Sequence, residues 1–575
     1  MGTTRLNGGD GEADAMPESI RDNLKAGAAA AWAWVLHVLR TIRRKGPTQV
    51  QFWLIALLIG IAAGMAALLF RKGINALEML TYGARDPLRL HSFAESLPWY
   101  WLVAIPALGG LLVGIILHRF TPDGRARAVA DVIEGAATNN GCVEVKAGIA
   151  SALASLITLG TGGSSGREGP VVHLASIISS WVSERIHADG ITGRDLLGCA
   201  VAAAVSASFN APIAGALFAL EVVLRHFAVH AFAPIVIAAV AGTVINRLAF
   251  GDVTEFVLTS TTALRFYIEL PAFLALGLTC GLVATALMKG IFFAEDVGNW
   301  LQAKTGLPRW LRPGFAGLLL GGLAVFFPHI IGVGYETTSA ALTGRLLWHE
   351  AIVFAVLKAV AVAITFGGRM GGGIFSPSMM MGALTGLAFG FIATGVFPNM
   401  SGSYTLYALA GMGAVAAAVL GAPISTTLIV FEMTGDWQTG LAVMVAVSLS
   451  TALASRLVDR SFFLTQLERR GVHVAAGPQA YLLAMFRAGT ILRKSGDPGA
   501  APEERLAEMV EDGIAVDFNA TLEETMPMFE RAGTPFLPVT GLVEGECVIL
   551  GALFHVDALK TYNKALAAMA AEEHS

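Results

Sequence analysis

The sequence predicts an all-α polytopic membrane protein that ends in a small α/β tail, and three observations carry that prediction. Of 575 residues, 55% are hydrophobic and 14% charged, whereas soluble domains average about 25% charged; mean hydropathy is +0.63. Charge-free runs reach the length of a bilayer crossing. Two distant stretches repeat one another in register. The composition excludes disordered, collagen-like and disulfide-scaffold chains and argues against an ordinary soluble enzyme. A net charge of −4 offers no nucleic-acid footprint. Cys142, Cys199, Cys280 and Cys547 form no CxxC pair, so they read as packing residues, with no metal set and no cofactor implied.

In chain order, residues 1–48 read as a cytoplasmic segment without a signal-peptide pattern. Within it, Ala26–Arg44 reads either as an amphipathic surface helix or as a solvated one. Gln51–Phe70 carries no charge and is long enough to span a hydrocarbon core of about 30 Å. Arg40, Arg43, Arg44 and Lys45 precede it, which places the N-terminus in the cytoplasm. Further charge-free runs are Leu196–Leu220, Leu270–Met288 and Met370–Phe431. The last exceeds one span and is interrupted at Gly371–Gly373, Pro377, Pro398 and Pro423, a pattern expected of helices that enter the membrane only part way.

Ala211-Pro-Ile-Ala-Gly-Ala-Leu-Phe-Ala-Leu-Glu221 matches Ala422-Pro-Ile-Ser-Thr-Thr-Leu-Ile-Val-Phe-Glu432 at Ala, Pro, Ile, Leu and Glu, and Gly166-Arg-Glu-Gly-Pro170 matches Gly373-Ile-Phe-Ser-Pro377 at a nearly equal offset. Two halves of inverted topology, roughly 49–250 and 265–460, follow from the repeat, with the functional site where they meet. A helix that starts inside the membrane presents unpaired N–H groups and a partial positive charge. Glycine admits close backbone approach, so two such starts face to face suit a partly dehydrated anion without holding it by a full charge. Gly166–Pro170 and Gly373–Pro377 are the candidate turns. Glu168 lies inside the first, where a carboxylate at membrane depth is a functional hypothesis by default. It can occupy the anion site itself and leave on protonation.

Gly160-Thr-Gly-Gly-Ser-Ser-Gly-Arg-Glu-Gly-Pro170, Phe209-Asn-Ala-Pro-Ile-Ala-Gly215, Gly372-Gly-Ile-Phe-Ser-Pro377 and Glu432-Met-Thr-Gly435 resemble the signature segments of the CLC chloride channels and chloride/proton exchangers, over residues of about 50 to 470. The resemblance implies a CLC fold of tilted and half-membrane helices in two inverted halves, a homodimer with one pore per subunit, and a bacterial inner membrane with both termini cytoplasmic. It implies chloride or a similar anion as the transported ligand, with protons as a further partner if the protein is an exchanger. Glu168 matches the family's gating glutamate. Ile374 and Phe375 match its backbone-amide donors, and Gly166, Arg167 and Gly169 lie in the opposing turn.

Three departures follow from the same resemblance. Where the family places a serine-bearing turn, this chain has Arg127 or, in an alternative register, Arg125, with the helix beginning at Asp131-Val-Ile-Glu134. The pore tyrosine is replaced by Phe463. The inner proton-accepting glutamate of many exchangers is replaced by Val222, beside Glu221. These favour channel-like or weakly coupled anion flux; an anion/proton antiporter and a non-transporting sensor of the same fold are the alternatives. His173 reads as a locally bonded helix residue, Lys146 and Lys358 as paired or vestibule-lining cations, and Met379–Met381 as packing.

Residues 471–575 carry 7 Lys+Arg against 15 Asp+Glu and read as a cytoplasmic domain with helices over Thr521–Ala532 and Val556–Ala568 and strands over Phe536–Val539 and Cys547–Leu553. They resemble one half of a CBS pair, with a short partner stretch over Val472–Ala515, which argues against nucleotide binding.

Overall fold

The computed structural model describes residues 47–573 except 228, 252–255, 257–265, 399–400, 473, 475–482, 484–485 and 544–545. The Ala26–Arg44 stretch lies outside the described residues. The first half comprises α1 Gln49–Tyr82, α2 Leu90–Glu95, α3 Trp99–Phe120, α4 Val129–Thr138, α5 Val145–Gly160, α6 Glu168–Ile186, α7 Gly190–Phe209, α8 Pro212–Phe218 with a π turn over Ala219–Leu224, and α9 Val229–Phe250. The second comprises α10 Phe266–Thr305, α11 Arg312–Phe326, α12 Tyr335–Leu342, α13 Trp348–Gly367, α14 Phe375–Val396, α15 Tyr404–Leu420, α16 Pro423–Thr434, α17 Trp437–Leu457 and α18 Phe462–Glu468. Seven helices among the described residues are long and apolar enough to cross a membrane.

The helix starts fall into two matching series. Glu168 corresponds to Phe375, Pro212 to Pro423 and Val229 to Trp437. The relation is antiparallel, as hydrogen bonds across the molecule prove. The Glu221 carboxylate accepts from the N–H groups of Ile424 and Ser425 at 2.9 and 2.8 Å. Its repeat mate Glu432 accepts from Ile213 and Ala214 at 3.0 and 2.8 Å. Each half therefore supplies the acidic cap for the other half's Pro-initiated helix, satisfying N–H groups that a helix start leaves open. A two-fold relation between the halves brings the end of each helix to the start of the other, as inverted repeats do.

Helices approach closely because glycine and alanine line their crossings, the usual device where lipid supplies no hydrophobic drive. A Cβ on Gly60 would stand 2.7 Å from the Ala238 carbonyl oxygen, where α1 meets α9, and one on Gly382 would overlap the Gly411 carbonyl, where α14 meets α15. The run Leu196–Leu220, read above as one charge-free stretch, is divided. Asn210 adopts φ 57° at the end of α7, and the chain restarts at Pro212. The segment is buried in protein over nearly all of α7. The Met370–Phe431 run breaks before Phe375 and again near Pro398 and Ala422, as its Gly and Pro punctuation predicts. Helix α4 begins at Val129, two residues before the expected Asp131, because Asp131 reaches back to accept from the Ala128 N–H at 2.8 Å.

In the tail, β1 Val516–Asp517 pairs in parallel with β2 Phe536–Val543, which pairs antiparallel with β3 Glu546–Phe554. Helices α19 Ala488–Ile491, α20 Glu503–Glu511, α21 Leu522–Ala532 and α22 His555–Glu573 surround the sheet. Both long strands outrun their expected ends, since Val543 pairs with Glu546 at one end of the ladder and Phe536 with Phe554 at the other. Thr521 and Glu524 cap α21 reciprocally.

Candidate functional site

Two helix starts meet at the centre of the membrane region. Helix α6 begins at Glu168 with Arg167 as its N-cap, and α14 begins at Phe375 with Ile374 as its N-cap. The turns are joined by a pair of backbone hydrogen bonds: Gly166 donates to the Gly373 carbonyl at 2.6 Å, and Gly373 donates to the Gly166 carbonyl at 2.7 Å. The approach to Gly373 runs through Gly371 and Gly372 at φ 89° and 120°, a region that residues with a Cβ avoid. A Cβ on Gly166 would stand 2.6 Å from Glu168 Oε2 and 3.1 Å from the Ser376 nitrogen, and one on Gly373 would stand 2.9 Å from the Gly169 nitrogen. Glycine at these positions thus leaves the amides of both starts uncovered. Pro170 and Pro377 occupy the third position of each helix; neither brings an N–H, so the donors are confined to the first two residues and the cap.

Glu168 is buried, and its Oε1 accepts from the Ser376 hydroxyl. Oε2 has no hydrogen-bond partner among the described residues. One carboxylate oxygen is thus tied to the opposing turn by a hydroxyl, while the backbone N–H groups of Glu168 and Ser376 lie close enough to interact with the carboxylate as well. Phe375, the repeat mate of Glu168, packs against Phe209 and Phe218 at centroid distances of 4.7 and 5.8 Å.

A cavity of about 320 Å³ reaches Glu168 from the face on which α1 begins. Glu168, Gly169, Ile374, Phe375 and Phe463 line its deep end, and Arg125, Arg369, Arg469 and Arg470 its mouth. On the other side lies a small cavity of about 30 Å³, lined by Arg167, Glu78, Tyr335 and His91 among others. The turn from Arg167 to Glu168 separates the two. Gly166 is at the bridge between the turns, and Gly169, Ile374, Phe375 and Phe463 all touch the first cavity. The Arg167 guanidinium does not: it donates to the Ser208 carbonyl at 3.0 Å and lies over the Tyr335 ring at 5.2 Å.

The structure separates the two registers of the arginine turn. Arg125 lines the cavity and pairs with Asp131 at 2.9 Å and Asp123 at 3.0 Å. Arg127 is not among the lining residues and is held by Asp123 and Glu144, each at 2.8 Å. Arg470 also reaches Asp131, at 3.2 Å. Arg125, Arg469 and Arg470 at the mouth are thus set against carboxylates, which moderates the field an anion meets there. Val222 is buried, and the adjacent Glu221 is committed to its helix-capping bonds.

Lys358, read as an ion-paired or vestibule cation, is instead enclosed and donates to the carbonyls of Ile330 and Gly332 at 3.1 and 3.0 Å. Lys146 is exposed at the start of α5. His173 is buried with neither ring nitrogen bonded among the described residues, contrary to the local bond expected of it. Met379–Met381 are core residues. Sequence reasoning missed Ser376 as the partner of Glu168 and the four arginines at the mouth as a group. Ser376 was visible as the hydroxyl residue where the first turn has Gly169, whereas the arginines come from three separate stretches of chain.

The family model described as "Voltage gated chloride channel" matches residues 109–455. A putative chloride channel protein ClcB-like from Ralstonia nicotianae is 32% identical over 396 residues, covering 68% of this chain and 91% of that protein. The voltage-gated ClC-type chloride channel ClcB of Salmonella typhimurium is 30% identical over 417 residues, covering 71% and 97%. Among solved structures, a slow cyanobacterial Cl−/H+ antiporter aligns with TM-score 0.64 at 21% identity, covering 73% of this chain and 97% of that one. A eukaryotic CLC transporter aligns with TM-score 0.63 at 18% identity, covering 90% and 98%. The chain is therefore a multi-pass integral membrane protein and not an enzyme; it belongs to the CLC family of voltage-gated chloride channels and related anion transporters.

Proposed function

We propose that the chain conducts chloride or a similar small anion through a pathway gated by Glu168, with channel-like or weakly coupled flux. One observation carries this reading: the Glu168 carboxylate sits where two opposed helix starts converge, between a cavity open to one face and a smaller one toward the other. An anion entering the larger cavity meets uncovered amides only when the carboxylate gives up its place, and protonation removes the charge that holds it there. Weak coupling is supported by Phe463, which lines the cavity, and by Glu221 and Val222, which lie outside it. Phe463 offers no hydroxyl, Val222 no carboxylate, and Glu221 is engaged by two amides and the Ser425 hydroxyl.

Antiport is the second reading, favoured by the cavity itself: space for water extends from Arg470 to Glu168, and a water chain can carry protons where side chains do not. Purified protein in liposomes under an anion gradient at equal pH decides between them. Channel-like flux dissipates the gradient with little proton movement; sustained uphill proton transport at fixed stoichiometry, with voltage clamped away from the proton equilibrium potential, overturns it. In this proposal the face where α1 begins is cytoplasmic, the membrane is a bacterial inner membrane, and the protein is a homodimer with one pathway per subunit.

A further inference from the structure

Outside the anion pathway, on the face where α1 ends, two imidazoles and a carboxylate converge. His91 and Glu95 lie one turn apart on α2, and His329 comes from the 3-10 turn Pro328–Ile330 after α11. A ligand atom from each lies within 4.8 Å of the other two. The rings of His91 and His329 are 4.3 Å apart at centroids, and His329 is backed by Phe354 at 4.2 Å. The Nδ1 of His329 is buried without a hydrogen-bond partner among the described residues. His91 Nδ1 is 3.2 Å from Glu336 Oε2. That carboxylate is itself fixed by the Ser92 N–H at 3.2 Å and by the Ser92 hydroxyl.

From this arrangement we infer that His91, Glu95 and His329 form a binding site for a divalent transition-metal ion of the zinc type. Three features point to that class. Two nitrogen ligands and one oxygen ligand suit zinc, cobalt or nickel, whereas calcium and magnesium require oxygen shells. The carboxylate behind His91 holds the proton on Nδ1 and turns the Nε2 lone pair outward, as carboxylates behind metal-bound histidines do. Spacing of i, i+4 on one helical turn lets His91 and Glu95 chelate together. Closing the triangle to Zn–N distances of about 2.0–2.1 Å takes roughly 1 Å of side-chain movement, and three protein ligands leave a fourth position for water.

The site is placed to matter. His91, His329 and Glu336 also line the small cavity that contains the Arg167 side chain. An ion would pin α2, from the α1–α3 connection, to the turn after α11, so the two halves of the molecule would be clamped together across that cavity.

The test is binding of Zn2+ to the purified, tag-free full chain by calorimetry in a non-chelating buffer, with Co2+ absorption reporting the ligand set. The expected result is one saturable site per chain, a tetrahedral cobalt spectrum, and at least tenfold weaker binding in both His91→Ala and His329→Ala. Glu95→Gln, at an exposed position that does not endanger folding, weakens binding in the same assay. Glu336→Gln weakens it less, by freeing the His91 ring. Absence of saturable binding, or unchanged affinity in Glu95→Gln and in folded histidine variants, overturns the assignment.

Discussion

The turns Gly166–Pro170 and Gly373–Pro377 share a backbone and differ in what they carry. Both begin a helix deep in the protein, both place proline at the third position, and they hydrogen-bond to each other through Gly166 and Gly373. At the equivalent first position one has Glu168 and the other Phe375. The carboxylate reaches across to the Ser376 hydroxyl, while the ring packs into Phe209 and Phe218. A duplicated scaffold thus carries an ionisable side chain at one start and a packed aromatic ring at the other. In the proposed gating, the backbone supplies an anion-binding start twice, and the side chain decides which copy responds to protons.

The strongest way to break this division is to remove the titratable group and keep its shape. Glu168→Gln is expected to conduct at all pH values with a nearly flat pH profile. Wild-type flux, by contrast, rises with acid, because the protonated fraction of a carboxylate changes about tenfold per pH unit above its pKa. Anion flux from liposomes measured across pH checks this, and a variant that keeps the wild-type profile removes Glu168 from the gate. Next in size is the link between the turns. Ser376→Ala deletes the hydroxyl that holds Glu168; a hydrogen bond to a charged group contributes about 1.5–3 kcal/mol, so flux near neutral pH should rise roughly ten- to a hundredfold. Unchanged flux would show that the carboxylate is held by the backbone alone.

A smaller effect tests the symmetry instead of the difference. Glu221 and Glu432 cap each other's partner helices in the same way, and Glu221 accepts one further bond from the Ser425 hydroxyl. Glu221→Gln and Glu432→Gln each exchange an oxygen acceptor for an amide facing N–H donors. Both should lower the thermal midpoint in detergent, Glu221→Gln somewhat more, with little change in the pH profile of flux. A much larger loss from Glu432→Gln would show that the two halves are not energetically equivalent.

The repeat and the Gly-Pro punctuation made much of this legible beforehand, because a helix start inside a membrane must pay for its backbone with special residues, and those residues are visible in a string. The elements around the turns were legible for the same reason, and the division of Leu196–Leu220 was not. Ala211-Pro212 was visible there, but the buried α7 shows no hydrophobic periodicity to mark its end. The arginine turn was less legible. Arg125 and Arg127 are two residues apart in a loop, and only the positions of Asp131, Asp123 and Glu144 determine which guanidinium faces the cavity. The histidine pair of the α2 cluster is farther still from the string, since His91 and His329 come from opposite halves and meet only after folding.

The smallest expected effect concerns a cap in the second half, outside the membrane spans. Asp436 starts α17, and its carboxylate accepts from the Thr439 hydroxyl and from the N–H groups of Thr439 and Gln438 at 3.0 and 3.3 Å. The Thr439 hydroxyl first, with the two amides adding to it, holds this carboxyl below its ordinary value against the opposing effect of burial. A carboxyl lowered in the folded state contributes stability that is fully present above its unfolded value of about 3.9 and is lost as pH falls through the lower folded value. Asp436→Asn keeps the capping oxygen and removes the titration. The wild type should therefore be slightly more stable than Asp436→Asn at pH 6, and the gap should close as pH is taken below about 4. Thermal unfolding of the two proteins side by side across that range measures it; a gap independent of pH would mean that α17 is capped by the hydrogen-bond geometry alone and not by the charge.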